Sequence, residues 1–116
     1  MTRHSRLLFA GAVFVVLATT APAYADEHHT INELSQIILS TDESDAAKAK
    51  AYNLRGQAHA ADDRLLAALA DFTEAIRLNN HYADAYINRS RIYSALKDYG
   101  RSYLDLRRAR LLLGAY

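Results

Sequence analysis

Apolar positions follow two different patterns along the chain. Every residue from Leu7 to Ala18 is apolar or glycine, whereas beyond residue 30 apolar side chains recur every three or four positions among polar ones. A recurrence of three and four places side chains on one face of an α-helix. The second pattern predicts an all-α protein with helices over residues 31–39, 45–61, 64–78, 83–96 and 99–113.

Polar residues mark several of the predicted helix boundaries. Thr30 and Glu33 have the spacing of a capping box at the start of the first helix. Asp62, Asp63 and Asp98 precede later helices, where carboxylates interact favourably with the positive end of the helix dipole. We therefore expect these residues to cap the helices that follow them.

The first 25 residues have the features of a secretory signal peptide. Arg3 and Arg6 give a positive start, the apolar run follows, and residues 23–25, AYA, form a small-x-small cleavage signature. An uncleaved membrane anchor is the alternative, but it needs roughly 20 apolar residues, and this run has 12. We therefore predict cleavage after Ala25, a periplasmic or secreted protein, and no stable membrane span after cleavage.

The mature chain repeats itself with a period of 34 residues. The hexapeptide AYNLRG at 51–56 aligns with AYINRS at 85–90. The same register continues downstream, where Asp71 aligns with Asp105 and Phe72 with Leu106. A period of this length, built from two amphipathic helices, is typical of helical repeat proteins.

These residues resemble the tetratricopeptide repeat family, whose unit is a helix pair with large and small side chains at fixed positions. Small side chains at 56 and 90 leave space that Phe72 and Leu106 are expected to fill. The resemblance implies a helical hairpin array of about two and a half repeats, in which helix 31–39 is the second helix of a degenerate preceding repeat. The family positions are Tyr52, Gly56, His59, Ala68, Phe72 and Ala75 in one copy, and Tyr86, Ser90, Tyr93, Ser102, Leu106 and Ala109 in the other. The expected domains are a signal peptide at 1–25, an N-terminal segment with the half-repeat helix at 26–44, and two repeats at 45–116, divided at about 49–82 and 83–116.

The copies depart from the family pattern in the turn between their helices. Asp63 and Lys97 stand where the family usually has glycine, and Asn80 replaces the proline that commonly follows the second helix. Asn80 and its neighbour Asn79 still favour a helix end. These departures affect the expected turn geometry more than the expected fold.

An arginine and an aspartate recur sixteen residues apart in both copies. Arg55 is followed by Asp71, and Arg89 by Asp105. This spacing predicts an ion pair between the two helices of each hairpin. If exposed to solvent, such a pair contributes only about 0–1 kcal/mol, so we interpret it as structural.

Composition places the chain among ordinary globular proteins, with 51% hydrophobic and 23% charged residues. The sequence has no cysteine, which excludes disulfides, thiolate metal sites, a thiol nucleophile and a lipid-anchored lipoprotein. It also has no Gly-rich phosphate loop and no Ser/His/Asp or metal-ligand grouping at a catalytic spacing. We therefore predict a protein that is not an enzyme and needs no cofactor.

Charge is unevenly distributed along the mature chain. Residues 26–85 hold five basic and 11 acidic side chains, whereas residues 86–116 hold seven basic and two acidic ones. This separation favours association with another protein or with a second copy over nucleic-acid binding, which export also disfavours. The other interpretation is that these charges belong to solvated helix faces of opposite sign.

The resemblance implies a protein–protein interaction module, an adaptor or assembly factor that binds a peptide or partner helix on its concave face. Amide and basic side chains there are able to hydrogen-bond an extended backbone or a carboxylate. Asn88 and Arg91 match part of the carboxylate clamp of some family members, although the third repeat of that clamp is missing. Ordinary solvated helix surface is the alternative interpretation. The family's groove positions correspond here to Lys50, Asn53, Gln57, Asp84, Ile87, Asn88 and Arg91.

The last predicted helix offers a second candidate surface. Residues 111–113 are all leucine, and the polar capping helix that such arrays commonly add is missing. An uncovered apolar edge favours burial against a second copy, a partner protein or a membrane surface, so a self-assembling structural protein is an alternative function. The basic residues of this helix are Arg101, Arg107, Arg108 and Arg110, interleaved with Tyr99 and Tyr103.

A further alternative function is metal binding at the mature N-terminus. After cleavage behind Ala25 the chain begins Asp26-Glu27-His28. A histidine at the third position can join the free amine and two deprotonated amides in a square-planar site, which suits Cu(II) or Ni(II). The competing interpretation is a frayed N-terminus that binds no metal.

Overall fold

The computed structural model describes residues 29–115 as five α-helices with no strand among them. The all-α prediction and its five helices are confirmed, and the predicted ends differ from the observed ones by at most one residue. The predicted signal peptide and the segment Asp26-Glu27-His28 lie outside the described residues. The helices are α1 (Ile31–Leu39), α2 (Asp45–Ala61), α3 (Leu65–Leu78), α4 (Ala83–Ala95) and α5 (Tyr99–Leu112).

Side chains cap the N-termini of α1, α2 and α5. Thr30 Oγ1 accepts a hydrogen bond from the Glu33 N–H at 3.2 Å, and Glu33 Oε2 accepts one from the Thr30 N–H at 2.7 Å. This confirms the predicted capping box, and the backbone hydrogen bond from Thr30 lowers the pKa of Glu33. Ser44 caps α2, and Asp98 caps α5 as predicted by accepting from the Arg101 N–H at 3.1 Å.

The prediction that Asp62 and Asp63 cap the next helix is wrong, because both residues close the end of α2. Asp62 is the C-terminal cap, and Asp63 has a left-handed backbone with φ of 59°. Lys97 has a φ of 63° at the same place after α4. In both turns the residue after the left-handed one donates a hydrogen bond from its backbone N–H to the carbonyl five residues earlier. The distance is 2.9 Å after α2 and 2.8 Å after α4. This helix ending requires a left-handed residue, which explains why glycine is usual there.

Replacing Lys97 with glycine is expected to stabilise the protein. A left-handed backbone costs an L-residue about 1–2 kcal/mol, and the greater unfolded-state entropy of glycine offsets part of the gain, which leaves about 0.5–1 kcal/mol. Aspartate tolerates this conformation better than lysine, so Asp63→Gly should stabilise less. Urea unfolding of both variants measures the difference, and an equal gain in the two turns would contradict this account.

The five helices stack in chain order as a linear array. Each helix packs against the next one, α2 also contacts α4, and α1 and α5 lie at opposite ends. This order places the first helices of the two repeats, α2 and α4, side by side. The main apolar cluster consists of Ala68, Phe72 and Ile92, with Ala60, Leu65 and Leu69 packed against it.

The side chains beside the small residues Gly56 and Ser90 are enclosed to different extents in the two repeats. Phe72 is buried and packs so closely that a Cβ added to Gly56 would lie 2.7 Å from its ring. Ser90 is also buried, but Leu106, the counterpart of Phe72, remains 43% exposed and is therefore not enclosed as Phe72 is. The reason is that Ile92 of α4 covers Phe72, whereas no described helix follows α5.

Candidate partner-binding groove

A groove of about 350 Å³ runs between the first helices of the two repeats. Gln57 from α2 lines one side, and four residues of α4 line the other. The α4 residues lie three, four and seven positions apart and therefore share one helix face. The structure thus brings together five of the seven residues predicted to bind a partner, namely Gln57, Asp84, Ile87, Asn88 and Arg91.

Charge and polarity vary along this groove. Asp84 and Arg91 are separated by about two helical turns, or roughly 10 Å along α4. Asn88 lies between them with the apolar Ile87 beside it. The groove therefore offers a carboxylate at one end, a guanidinium at the other, and an amide between them, which suits the alternating donors and acceptors of a peptide backbone.

Asn53 is placed differently from its prediction as a partner-binding residue. It is buried, with its Nδ2 donating to the Tyr82 hydroxyl at 3.2 Å and its Oδ1 accepting from Asn88 Nδ2 at 3.0 Å. Asn88 Oδ1 in turn accepts a hydrogen bond from Arg91 at 3.3 Å. Because Asn53 is buried, its amide does not face a ligand in the groove, and it instead orients Asn88 there.

Tyr82 is the member of this network that sequence reasoning missed. It precedes α4, and its counterpart in the first repeat is Lys48, so the repeat pattern contains no signal for it. Burial raises the pKa of Tyr82, which keeps the phenol neutral well above pH 7. The hydrogen bonds that hold Asn53 and Asn88 are therefore insensitive to pH near neutrality.

Lys50 lines a different depression, between α1 and α2. This second groove has a volume of about 230 Å³ and a mostly apolar lining. Leu34 and Ile37 of α1 lie opposite Ala51 and Leu54 of α2 in this groove. Lys50 is therefore not part of the groove between α2 and α4.

The two predicted ion pairs are present and hold the helix hairpins together. Arg55 binds Asp71 through two hydrogen bonds of 2.9 and 2.8 Å, and Arg89 binds Asp105 through two of 2.7 and 2.8 Å. The hydrogen bonds that each arginine donates to its aspartate raise the pKa of that arginine. Both aspartates are buried, so the small value expected for an exposed pair does not apply.

Metal-ligand groups and membrane-spanning helices can also be assessed for the described part of the chain. Residues 29–115 contain no group of three His, Cys, Asp or Glu side chains arranged to hold a metal ion. None of the five described helices is both long and apolar enough to cross a bilayer. The predicted Cu(II) or Ni(II) site at His28 lies outside these residues.

Comparison with known proteins identifies the repeat. A family model described as tetratricopeptide repeat matches residues 49–82 and 83–109, which is more than half of the chain. The chain therefore belongs to the tetratricopeptide repeat family, whose repeats generally mediate protein–protein interaction and whose members are typically non-enzymatic scaffolds. No curated protein and no solved structure matched the chain.

Proposed function

We propose that this protein is an exported adaptor or assembly factor that holds a peptide or helix of another protein in the groove between α2 and α4. The observation that carries the proposal is the convergence of Gln57, Asn88 and Arg91, from different repeats, on one groove. Catalysis has no part in this function, and the protein acts by holding its partner in place.

The groove chemistry favours an extended segment with an acidic group near Arg91. Asn88 is held in one orientation by Asn53, so its amide is preorganised and loses little entropy when a ligand binds. Arg91 is exposed and, among residues 29–115, bonds only to Asn88, at 3.3 Å, so its guanidinium has donors left for a carboxylate. Ile87 adds a small apolar contact beside them.

Reversing the charge at Arg91 is expected to abolish partner binding, because Arg91→Glu places a carboxylate where we propose that the partner has one. The assay is site-specific crosslinking from Gln57 to envelope proteins of the producing cell, followed by identification of the product by mass spectrometry. Arg77→Glu is the matched control, since Arg77 is an exposed arginine on α3 outside the groove. A product formed equally by wild type, Arg91→Glu and Arg77→Glu would refute the groove as the binding site.

Export is the second part of this proposal, and it rests on the charge, apolar run and cleavage signature of residues 1–25. We expect the protein that cells accumulate to begin at Asp26 and to fractionate with periplasmic or secreted proteins. Ala25→Tyr removes the small residue at the cleavage position and should leave the precursor uncut. N-terminal sequencing of both proteins decides the question, and an uncut wild-type protein in the cytoplasm would contradict export.

A further inference from the structure

One face of α5 is uncovered although its counterpart in the first repeat is covered. The two faces are related by the 34-residue register, so Tyr99, Tyr103 and Leu106 on α5 correspond to Leu65, Leu69 and Phe72 on α3. On α3 these residues pack in the cluster that α4 closes with Ile92. On α5 they are 65%, 64% and 43% exposed. The apolar residues of α5 therefore form a surface that fits another helix, and we call Tyr99, Tyr103 and Leu106 the tail ridge.

The surroundings of the tail ridge are strongly basic. Arg107, Arg108 and Arg110 are exposed, and none of them forms an ion pair with another residue in the range 29–115. Arg110 follows Leu106 by four positions and so continues the line of the ridge. A partner surface that covers the ridge must therefore supply negative charge as well as apolar contact.

The opposite end of the array has the complementary properties. Residues 29–45 contain four acidic side chains and no lysine or arginine. Leu39 at the end of α1 is 76% exposed. The mostly apolar groove between α1 and α2 is lined by Leu34 and Ile37 of the same helix and includes Glu43. Asp42, Glu43 and Asp45 follow Leu39 and are all exposed. We call Leu39 and these three acidic residues the head.

We propose that the head of one copy binds the tail ridge of another, so that the protein associates with itself head to tail. The charges of the two ends are opposite, and each end has exposed apolar surface for the other to cover, Leu39 at the head and the tail ridge on α5. A symmetric dimer through two tail ridges is disfavoured, because it would bring two sets of Arg107, Arg108 and Arg110 together. A head-to-tail contact uses two different surfaces and leaves one of each free, so it adds copies without a fixed limit. The groove between α2 and α4 includes neither end and remains available for a partner.

The first measurement is the mass of the protein in solution, taken on the form that the producing cell accumulates. Light scattering after gel filtration should give a mean mass above that of one chain, and this mean mass should rise with protein concentration. Because the contact pairs opposite charges, the mass should fall between about 0.05 M and about 0.5 M salt. A protein that remains a single chain up to about 1 mM would overturn the proposal.

Two variants separate the head-to-tail contact from a symmetric one. Leu39→Arg adds a positive charge to the head, and the double variant Tyr99→Asn, Tyr103→Asn removes the aromatic side chains from the tail ridge. Leu39, Tyr99 and Tyr103 are each more than 60% exposed, so replacing them should leave the fold unchanged. Circular dichroism of each variant checks this. Each variant alone should be a single chain, whereas an equimolar mixture should form a dimer and nothing larger, because one intact head and one intact tail remain.

The control is Leu66→Asn, which removes a leucine that is 73% exposed on α3 in the middle of the array. This control should associate like the wild type. If Leu39→Arg still forms dimers while the double variant does not, the contact is symmetric between tail ridges and the proposal is wrong. If the mixture of the two variants contains only single chains, the head and tail do not bind each other.

Discussion

Gly56→Ala is expected to destabilise the protein by about 1–3 kcal/mol, although it adds only one methyl group. The new Cβ would lie 2.7 Å from a ring carbon of Phe72, which is closer than van der Waals contact allows. Phe72 is buried in the cluster between α3 and α4, so its ring has no open space to enter. The destabilisation should appear as a lower midpoint in urea unfolding with an unchanged slope.

The second repeat supplies the compensating change. It carries Ser90 and Leu106 where the first repeat has Gly56 and Phe72. The double variant Gly56→Ser, Phe72→Leu should therefore be more stable than Gly56→Ser alone, because a smaller side chain faces the larger one. Gly100→Ala is the control, since a Cβ there meets its nearest atom at 3.8 Å. An equal loss of stability in Gly56→Ala and Gly100→Ala would show that the loss of a glycine matters and the contact with Phe72 does not.

Asp71→Asn is expected to destabilise the protein by about 3 kcal/mol, since it leaves a partly buried guanidinium without its counter-charge. Arg55 loses the negative charge and one of the two acceptor oxygens at residue 71, but keeps the 3.0 Å bond from its guanidinium to Ser35 of α1. Arg55 thus connects α1, α2 and α3, and the loss of Asp71 should loosen the N-terminal end of the array first. Thermal unfolding gives the total loss, and amide hydrogen exchange should show which helices open earlier.

Glu74→Gln is the matched control for Asp71→Asn. Glu74 pairs with Arg77 at 2.7 Å on the same helix, but the Arg77 side chain is 66% exposed and that of Glu74 is 40% exposed, so loss of the pair should cost no more than about 0.5 kcal/mol. Replacing both partners of the buried pair, as in Arg55→Met, Asp71→Leu, should recover part of the stability lost in Asp71→Asn. If Asp71→Asn costs no more than Glu74→Gln, the buried pair does not hold the hairpin together.

The features that the sequence predicts well are local ones. The three-and-four spacing of apolar residues and the capping residues Thr30 and Asp98 place the helices to within one residue, because helix formation depends on near neighbours. The 34-residue period then implies the repeat and its packing order, since each repeated helix pair packs on the next pair along the chain. Helical spacing also selects Asp84, Ile87, Asn88 and Arg91 as one face of α4, and all four line the groove.

The sequence by itself therefore determined the helices, the repeat and the polar face of α4, whereas the tertiary structure decided how far individual side chains are exposed. Asn53 lies among groove positions in the sequence, but Tyr82 and Asn88 bury it and use its amide. Phe72 and Leu106 occupy the same repeat position, but α4 covers only the first of them. The physical reason is that burial depends on which helix lies opposite a side chain, and that helix comes from a distant part of the chain.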